Sequence, residues 1–204
     1  MVRTVVAAES ALDHLRADPV MADVIERIGP IEYPVDPDLW RGLVGSIVGQ
    51  QLSVLAARTI RGRVAALGGE AGFPSPELVA SLPDETLRAC GLSGAKTRYV
   101  RDVARVWLEG DLEEHRLARL DDEAMIETLV RIKGVGRWTA EMVLIFTLDR
   151  PDILAVDDLG IRVAVQKAYG LEDRPGRKEL VRIGEPWRPF RSLASRYLWR
   201  SLTE

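Results

Sequence analysis

The stretch RIKGVGRWTAEM, residues 131–142, combines a tight glycine turn with residues that could bind a ligand. Gly134 and Gly136 flank one apolar residue between two helix-like runs. Glycine allows backbone angles and close approaches that a Cβ forbids, and such a turn exposes backbone N–H groups at the start of the next helix. These groups bind anions together with the helix dipole. The pattern predicts a phosphate-binding turn, although a turn that only lets two helices pack closely has the same composition.

The other groups that could do chemistry are limited by the cysteine and histidine counts. Cys90 is the only cysteine, and His14 and His115 are the only histidines. This excludes internal disulfides, thiolate zinc sites and four-cysteine iron–sulfur clusters. Neither histidine lies in a recognisable motif, so both are predicted on helix surfaces. Chemistry must therefore rest on carboxylates, Lys or Arg side chains, hydroxyls or backbone groups.

The elements that position these groups are predicted to be helices throughout, which makes the fold class all-α. Apolar residues recur at helical spacing after Asp38, a predicted N-cap, and a short helix begins near Ser75. Another helix is predicted to be capped by Asp157 and to end at Gly170. No alternating strand is convincing, since ILAV at 153–156 is too short.

Several stretches together resemble one known family. IKGVGRWTAEMVLIF followed by VDDLGI resembles the helix-hairpin-helix (HhH-GPD) DNA glycosylase superfamily, in its AlkA-like 3-methyladenine DNA glycosylase II branch. LVGSIVGQQLS (43–53), LSGAKTRYV (92–100) and the Trp/Arg-rich tail follow the family in the same order. The resemblance covers roughly residues 35–200, and the combination is specific although each piece alone is weak.

The resemblance implies how DNA is held. The amides of Gly134, Val135 and Gly136 would face a DNA phosphate, with Lys133 and Arg137 as neighbouring DNA-binding side chains. No cofactor is expected beyond a monovalent cation, Na⁺ or K⁺, at this turn. Its ligands would be the backbone carbonyls of Val130, Ile132 and Val135.

The resemblance also implies the catalytic and base-binding residues. Asp158 falls on the family's catalytic aspartate, and Trp138, Trp199 and Met142 fall on the wall of the base pocket. Gln51 falls on the residue that fills the gap left by the extruded nucleotide, and Leu52 could add apolar stacking. Trp40, Trp107 and Trp187 lie on apolar helix faces and are predicted to be core.

These residues suit hydrolysis of a glycosidic bond in DNA. The enzyme must rotate the nucleotide out of the stack, and bond cleavage leaves positive character on the sugar. A carboxylate can stabilise that charge and orient or deprotonate water. Asp158, in the first turn of a helix, is expected to be ionised because of the helix dipole. The alternative is that both carboxylates of Asp157 and Asp158 only cap the helix.

The chain departs from the family pattern at several positions. Trp138 stands where bifunctional relatives carry a Schiff-base lysine, so we expect base release without strand cleavage. Lys133 replaces the usual proline, and Met142 replaces a pocket tyrosine. From the position at which the family motifs begin, we expect a compact version without the N-terminal β-rich domain of larger AlkA enzymes, and the clustered cysteines of the endonuclease III and adenine-mismatch branches are missing from this sequence.

Composition and charge bound the partners. The chain has 204 residues and a net charge of −3, but 51–107 and 174–200 are basic while 1–40 and 108–127 are acidic. This permits one basic face, although arginine richness can also reflect genome composition. No run is apolar enough to span a bilayer. The expectation is a cytoplasmic, prokaryotic monomer that works at the nucleoid on double-stranded DNA containing damaged bases, with no membrane partner.

The sequence thus predicts a single two-lobed all-α unit over residues 1–204 with its cleft between the lobes. One lobe spans about 40–150 with the hairpin at 132–136, and the other spans about 1–39 plus 151–204. The predicted function is a monofunctional DNA glycosylase for alkylated purines of the 3-methyladenine or 7-methylguanine type, acting in base excision repair. The alternatives are a non-catalytic DNA-binding module, a glycosylase of oxidised or deaminated bases, and an unrelated helical protein-interaction domain.

Overall fold

The computed structural model describes residues 2–112, 117 and 119–203. Its chain forms two compact units. The continuous unit is Asp38–Val143, and the discontinuous unit combines Met1–Pro37 with Leu144–Glu204. The sequence placed these boundaries at about 40 and 150. One helix begins in the continuous unit and ends in the discontinuous one.

The fold is mostly helical, as predicted. The continuous unit contains α3 Leu39–Gly49, α4 Val54–Ala66, α5 Pro76–Ser81, α6 Asp84–Ala89, α7 Gly94–Leu108 and α8 Asp122–Leu129, with a short 3₁₀ turn at Gly69–Ala71. The helix shared by the units is α9, Arg137–Phe146. The discontinuous unit contains α1 Glu9–Leu15, α2 Pro19–Ile28, α10 Leu159–Ala168, α11 Arg177–Gly184 and α12 Arg191–Arg200.

Side-chain N-caps start most of these helices. Asp38 accepts from the Arg41 amide at the start of α3, and Ser75 accepts from the Leu78 amide at the start of α5. The cap at Asp38 was predicted, whereas near Ser75 only the start of a helix was predicted. A short polar side chain at this position satisfies one of the orphan N–H groups of the first turn. Further caps of the same kind are Asp18, Ser53, Ser93, Asp121 and Asp158.

Two short strands in the discontinuous unit were missed by the sequence analysis. β1 Arg3–Val6 pairs antiparallel with β2 Glu32–Val35, with Thr4 opposite Pro34. Proline argues against a central strand because it cannot donate to the ladder, yet it is tolerated at an edge. In a two-stranded sheet both strands are edges, so Pro34 does not prevent the pairing.

Tryptophans anchor the interior of each unit. Trp187 is fully buried in the core of the discontinuous unit, and its indole donates to Asp18 at 3.1 Å. Trp40 is buried in the continuous unit, donates to the Pro74 carbonyl at 2.8 Å, and packs edge-on against half-buried Trp107. The prediction that these three residues are core is confirmed for Trp40 and Trp187, whereas Trp107 is half-buried at the edge of the core. His14 is exposed on α1 as predicted, and His115 lies outside the described residues.

Candidate active site and nucleic-acid interface

Asp158 is the N-cap of α10. Its backbone is extended (φ −69°, ψ 121°), and its Oδ1 accepts from the Ile161 amide at 2.8 Å. The carboxylate therefore lies on the helix axis at the positive end of the dipole. The prediction that Asp157 caps this helix is wrong, because the non-helical backbone angles fall one residue later. Asp157 instead forms an exposed ion pair with Arg177, the first residue of α11.

A second donor reaches the same carboxylate oxygen. The indole Nε1 of Trp199, on α12, donates to Asp158 Oδ1 at 2.9 Å. Gly160 makes room for this bond, since a Cβ at that position would lie 3.0 Å from Asp158 Oδ1 and 3.2 Å from Trp199 Nε1. Asp158 is only 9% exposed. The family resemblance implied Trp199 as a wall of the base pocket, but nothing in the sequence indicated its hydrogen bond to Asp158 or the role of Gly160.

Trp199 also lines a concavity within the discontinuous unit. The concavity has a volume of about 360 Å³, within the range typical of ligand pockets. Phe146 is 42% exposed, and its ring lies 5.3 Å from that of Trp199 at 32°. Trp199, which donates to Asp158, and Phe146 thus present neighbouring aromatic faces on which an electron-poor ring could stack.

A buried arginine, Arg196, packs against Phe146 and Tyr33 beside this concavity. The Arg196 guanidinium lies 3.7 Å from the ring centre of Tyr33 and 4.8 Å from that of Phe146. Its Nη2 donates to the Ile145 carbonyl at 2.6 Å, and burial lowers the pKa of the guanidinium. The sequence analysis missed Phe146, Tyr33 and Arg196. Only the Trp/Arg-rich character of the tail pointed towards them.

The hairpin, residues 132–136, lies in the continuous unit. Gly134 has φ +88°, and a Cβ there would lie 2.1 Å from the Tyr99 ring. Gly136 is exposed with no atom within 4 Å of its Cβ position, so the fold itself does not require glycine there. Gly134 is therefore explained by the turn, whereas Gly136 leaves the backbone open to an approaching group.

Only part of the predicted amide set is available. The Val135 amide donates to the Ile132 carbonyl at 3.0 Å, so it is used inside the turn. The amides of Gly134 and Gly136 have no acceptor among the described residues. The Ile132 carbonyl keeps a second lone pair, so the cation at Val130, Ile132 and Val135 stays a prediction.

The two predicted basic residues of the hairpin differ. Lys133 has an exposed side chain, while its amide donates to Asp102 at 2.9 Å. Arg137 donates to both oxygens of Glu123, at 2.6 and 2.7 Å, and to Glu141 at 3.1 Å. These carboxylates neutralise its charge and occupy its donors. The side chain thereby fastens α9 to α8, and the assignment of Arg137 to DNA binding stays a prediction.

The loop between α3 and α4 presents Gln51 to solvent. Gln51 has φ +56°, a left-handed conformation that a non-glycine residue rarely adopts. Leu52 beside it is 39% exposed, and Val54 and Leu55 at the start of α4 are 88% and 74% exposed. Strained backbone of this kind clusters at functional sites. A polar tip beside exposed apolar side chains is the form that insertion into a base stack would need.

Trp138 and Met142 lie one turn apart on α9. Trp138 is half-buried, and Met142 is 8% exposed. Residues four apart share a helix face, so both can belong to one surface of the continuous unit. Their role as walls of the base pocket stays a prediction.

The described residues form neither a cluster of metal ligands nor a membrane-spanning helix. The described part of the chain contains no group of three His, Cys, Asp or Glu side chains placed to hold a metal ion. None of its helices has both the length and the apolarity needed to cross a bilayer.

Comparison with known proteins identifies the family. Residues 44–189 match the family described as HhH-GPD superfamily base excision DNA repair protein. The chain is 31% identical over 199 residues to the putative DNA-3-methyladenine glycosylase YfjP of Bacillus subtilis strain 168, covering 95% of this chain and 69% of the relative. It is 36% identical over 160 residues to DNA-3-methyladenine glycosylase 1 of Schizosaccharomyces pombe, covering 78% of this chain and 70% of the relative.

Solved structures agree with this assignment. The structure of Schizosaccharomyces pombe 3-methyladenine DNA glycosylase (Mag1) in complex with abasic DNA matches with a TM-score of 0.88 at 31% identity, covering 96% of this chain and 97% of that one. A DNA-3-methyladenine glycosidase from Bacillus halodurans matches with a TM-score of 0.83 at 36% identity, covering 98% of this chain and 92% of that one. The glycine hairpin, the capped aspartate and these similarities agree, and the chain belongs to the HhH-GPD superfamily of base excision DNA repair proteins, in its AlkA-like 3-methyladenine DNA glycosylase branch.

Proposed function

We propose that this protein is a monofunctional DNA glycosylase that releases alkylated purines, of the 3-methyladenine or 7-methylguanine type, from double-stranded DNA. The observation that carries the proposal is the carboxylate of Asp158, which is held at a helix N-terminus by N–H donors from Ile161 and Trp199, and Trp199 also lines an aromatic concavity. Relatives at 31% and 36% identity bear the name DNA-3-methyladenine glycosylase.

The hairpin would grip the DNA backbone. The amides of Gly134 and Gly136 supply donors for one phosphate, and the exposed side chain of Lys133 adds a positive charge nearby. Contacts of this kind fix register without reading sequence. They suit an enzyme that must scan DNA for damage.

Gln51 would then occupy the place of the everted nucleotide. Eversion costs a few kcal/mol, and less for a damaged base that stacks and pairs poorly. The Gln51 amide group can hydrogen-bond the orphaned partner base, while exposed Leu52 can stack on a neighbouring base. The insertion offsets part of the cost of eversion.

Bond cleavage would rely on Asp158. As the C1′–N bond breaks, its electron pair leaves with the base, and positive charge develops on the sugar. The Asp158 carboxylate stabilises that charge, and a water molecule adds to C1′ and gives up one proton to the carboxylate or to solvent. An alkylated purine already carries positive charge, so its departure needs little acid assistance. The products are a free base and an abasic site.

Aromatic faces would hold the departing base. Trp199 and Phe146 offer adjacent rings in the discontinuous unit, and a cationic purine is attracted to such faces by stacking and cation–π interaction. Trp138 and Met142 are the further walls that the family resemblance implies.

Strand cleavage is not expected. Trp138 occupies the position of the lysine that forms a Schiff base in bifunctional relatives, and an indole cannot form one. Borohydride added during turnover should therefore trap no covalent protein–DNA adduct. Recovery of a trapped adduct would contradict the monofunctional assignment.

The direct test is release of 3-methyladenine and 7-methylguanine from methylated duplex DNA. Wild type should release the bases, and Asp158→Asn should be slower by roughly a hundredfold or more, the effect of losing a major electrostatic contribution. A matched control is Asp121→Asn, which changes the N-cap of α8 and should retain wild-type release. Equal release by wild type and Asp158→Asn would remove the proposed mechanism.

The same assay separates the alternatives. A non-catalytic DNA-binding module would bind DNA without preference for lesions and release no base. A glycosylase of oxidised or deaminated bases would act on a panel containing 8-oxoguanine, hypoxanthine and uracil but not on methylated purines. The assignments to a cytoplasmic monomer working at the nucleoid also stay predictions, and sedimentation analysis tests the oligomeric state.

A further inference from the structure

Gln50, the residue before Gln51, connects the insertion loop (residues 50–53) to the hairpin. Its side-chain Nε2 donates to the Gly134 carbonyl at 2.9 Å and to Thr139 Oγ1 at 3.0 Å. One amide group therefore contacts both the turn that would bind phosphate and the first turns of α9. The contact joins segments that lie 84 residues apart in sequence.

Lys96 holds the other side of the same loop. Its Nζ donates to the Val48 carbonyl at 2.8 Å and to the Gln50 carbonyl at 2.6 Å. These are carbonyls at the C-terminal end of α3, which a helix leaves without intrahelical partners and where positive charge is favourable. Burial lowers the pKa of the Lys96 ammonium, so this cation is retained at some desolvation cost.

The two contacts leave the insertion loop little freedom. Gln50 is fixed through its side chain by the hairpin and through its carbonyl by Lys96, and the next residue, Gln51, has φ +56°. A strained residue persists only where its surroundings determine its conformation. The same residues line one cavity of about 690 Å³ together with Tyr99 and the hairpin, so the loop and the hairpin share a surface.

We propose that Gln50 and Lys96 are positioning residues that fix the tip of Gln51 relative to the phosphate-binding hairpin. Docking of the hairpin on one phosphate then places Gln51 at a defined distance along the strand, at the nucleotide to be everted. Neither side chain touches the reacting bond. This inference rests on the proposed function, because it assumes that Gln51 fills the gap and that the hairpin grips the backbone.

A positioning role and a purely structural role of Gln50 differ in what they predict for undamaged-DNA affinity and for eversion. If Gln50 only stabilises the continuous unit, its loss should lower the melting temperature and every activity in parallel. If it positions Gln51, its loss should spare the grip of the hairpin on undamaged DNA and impair eversion. Eversion is followed by the fluorescence of 2-aminopurine placed next to the lesion, which rises when stacking is lost.

The test uses Gln50→Leu and Lys96→Met in the full chain. We expect undamaged-duplex affinity within about twofold of wild type. The fluorescence rise and the single-turnover rate of base release should fall about tenfold, the effect of losing an ordinary hydrogen bond. Lys96→Arg, which retains the positive charge and the donors, should recover much of the rate. Matched controls are Gln166→Leu, which removes a half-buried amide that donates to the Glu172 carbonyl, and Lys178→Met at an exposed lysine.

A double-mutant cycle decides how Gln50 acts. Gln51→Ala should lower eversion by itself, and the double variant Gln50→Leu/Gln51→Ala should be no slower than the slower single variant, because contacting residues that act as a unit are not additive. Additive losses, wild-type eversion in Gln50→Leu, or a parallel loss of undamaged-DNA affinity would each overturn the proposal. If wild type itself neither everts nor releases a base, the proposed function fails instead. Should Gln50→Leu not fold, Lys96→Met carries the test.

Discussion

The indole N–H of Trp199 and the backbone amide of Ile161 converge on the same oxygen of Asp158, at 2.9 and 2.8 Å. The carboxylate is thus both the N-cap of α10 and the group proposed to stabilise the sugar. Capping and the proposed catalysis, which the sequence presented as alternatives, can therefore belong to one side chain.

If Asp158 both caps α10 and stabilises the sugar during catalysis, substitutions at this position should separate the two roles. Asparagine caps a helix as well as aspartate does, whereas alanine loses about 1 kcal/mol, or about 2–4 °C in melting temperature for a chain of this size. We expect Asp158→Asn and Asp158→Ala both to lose base release, but only Asp158→Ala to melt earlier. Thermal denaturation beside the release assay checks this. An inactive Asp158→Asn that also melts earlier by several degrees would mean that the loss of activity reflects folding.

Removal of the indole donor should slow the reaction without weakening DNA binding. Trp199→Phe keeps an aromatic ring but removes the N–H, and Gly160→Ala keeps the indole but places a Cβ 3.2 Å from its Nε1. Each variant should lower the single-turnover rate about tenfold, with duplex affinity unchanged.

The two variants disturb one hydrogen bond from opposite sides, so their effects should not add. Single-turnover rates of both single variants and of the double variant complete the cycle. A double variant that is slower by the product of the two single effects would show that Trp199 and Gly160 act separately. In that case Trp199 would contribute through stacking on the base and not through Asp158.

Local patterns in the sequence predicted the parts of the site that local chemistry determines. The glycine turn, the N-cap at Asp38 and the helix start near Ser75 each depend on a few neighbouring residues, whereas Asp158 was assigned from the family resemblance. Even there the predicted cap of α10 was one residue too early, because Asp157 and Asp158 have the same capping chemistry. The choice between them follows from where the preceding loop turns into helix.

Contacts between distant segments could not be predicted in this way. Gln50 meets Gly134 across 84 residues, and Arg137 meets Glu123 across 14. From sequence alone, an arginine beside a phosphate-binding turn is expected to contact DNA. Its contacts with Glu123 and Glu141 become visible only in the structure. The β1–β2 pair was missed because four-residue strands, one of them containing proline, have no clear alternation.

The Arg137–Glu123 pair predicts a dependence of stability on pH. The hydrogen bonds from Arg137 lower the pKa of the Glu123 carboxyl. A lowered folded-state pKa contributes stability above the ordinary glutamate value, about 4.3, and that stability is lost as the pH falls through the lowered value. Glu123→Gln should therefore melt earlier than wild type at neutral pH, by the equivalent of at most about 1 kcal/mol for an exposed pair.

The difference between wild type and Glu123→Gln should shrink as the pH is lowered below about 4. Thermal melting between neutral and acidic pH measures it. Glu127→Gln is the matched control, because Glu127 is an exposed carboxylate on the same helix without an ion pair among the described residues. A difference for Glu123→Gln that is the same at every pH would show that its charge is not the cause.

The two hairpin glycines should respond differently to alanine. Gly134→Ala meets the Tyr99 ring and a φ of +88°, so it should destabilise the continuous unit and weaken DNA binding together.

Gly136→Ala has room in the fold, so its melting temperature should stay within about 1 °C of wild type. If the Gly136 amide contacts a phosphate, the added methyl should still weaken binding to undamaged duplex. Titration at several salt concentrations separates this from a general loss of charge, because the lysines and arginines are unchanged and the salt dependence should keep its slope. Full affinity in Gly136→Ala would mean that the backbone at this residue does not approach the DNA, and the grip would then fall to Gly134 and Lys133.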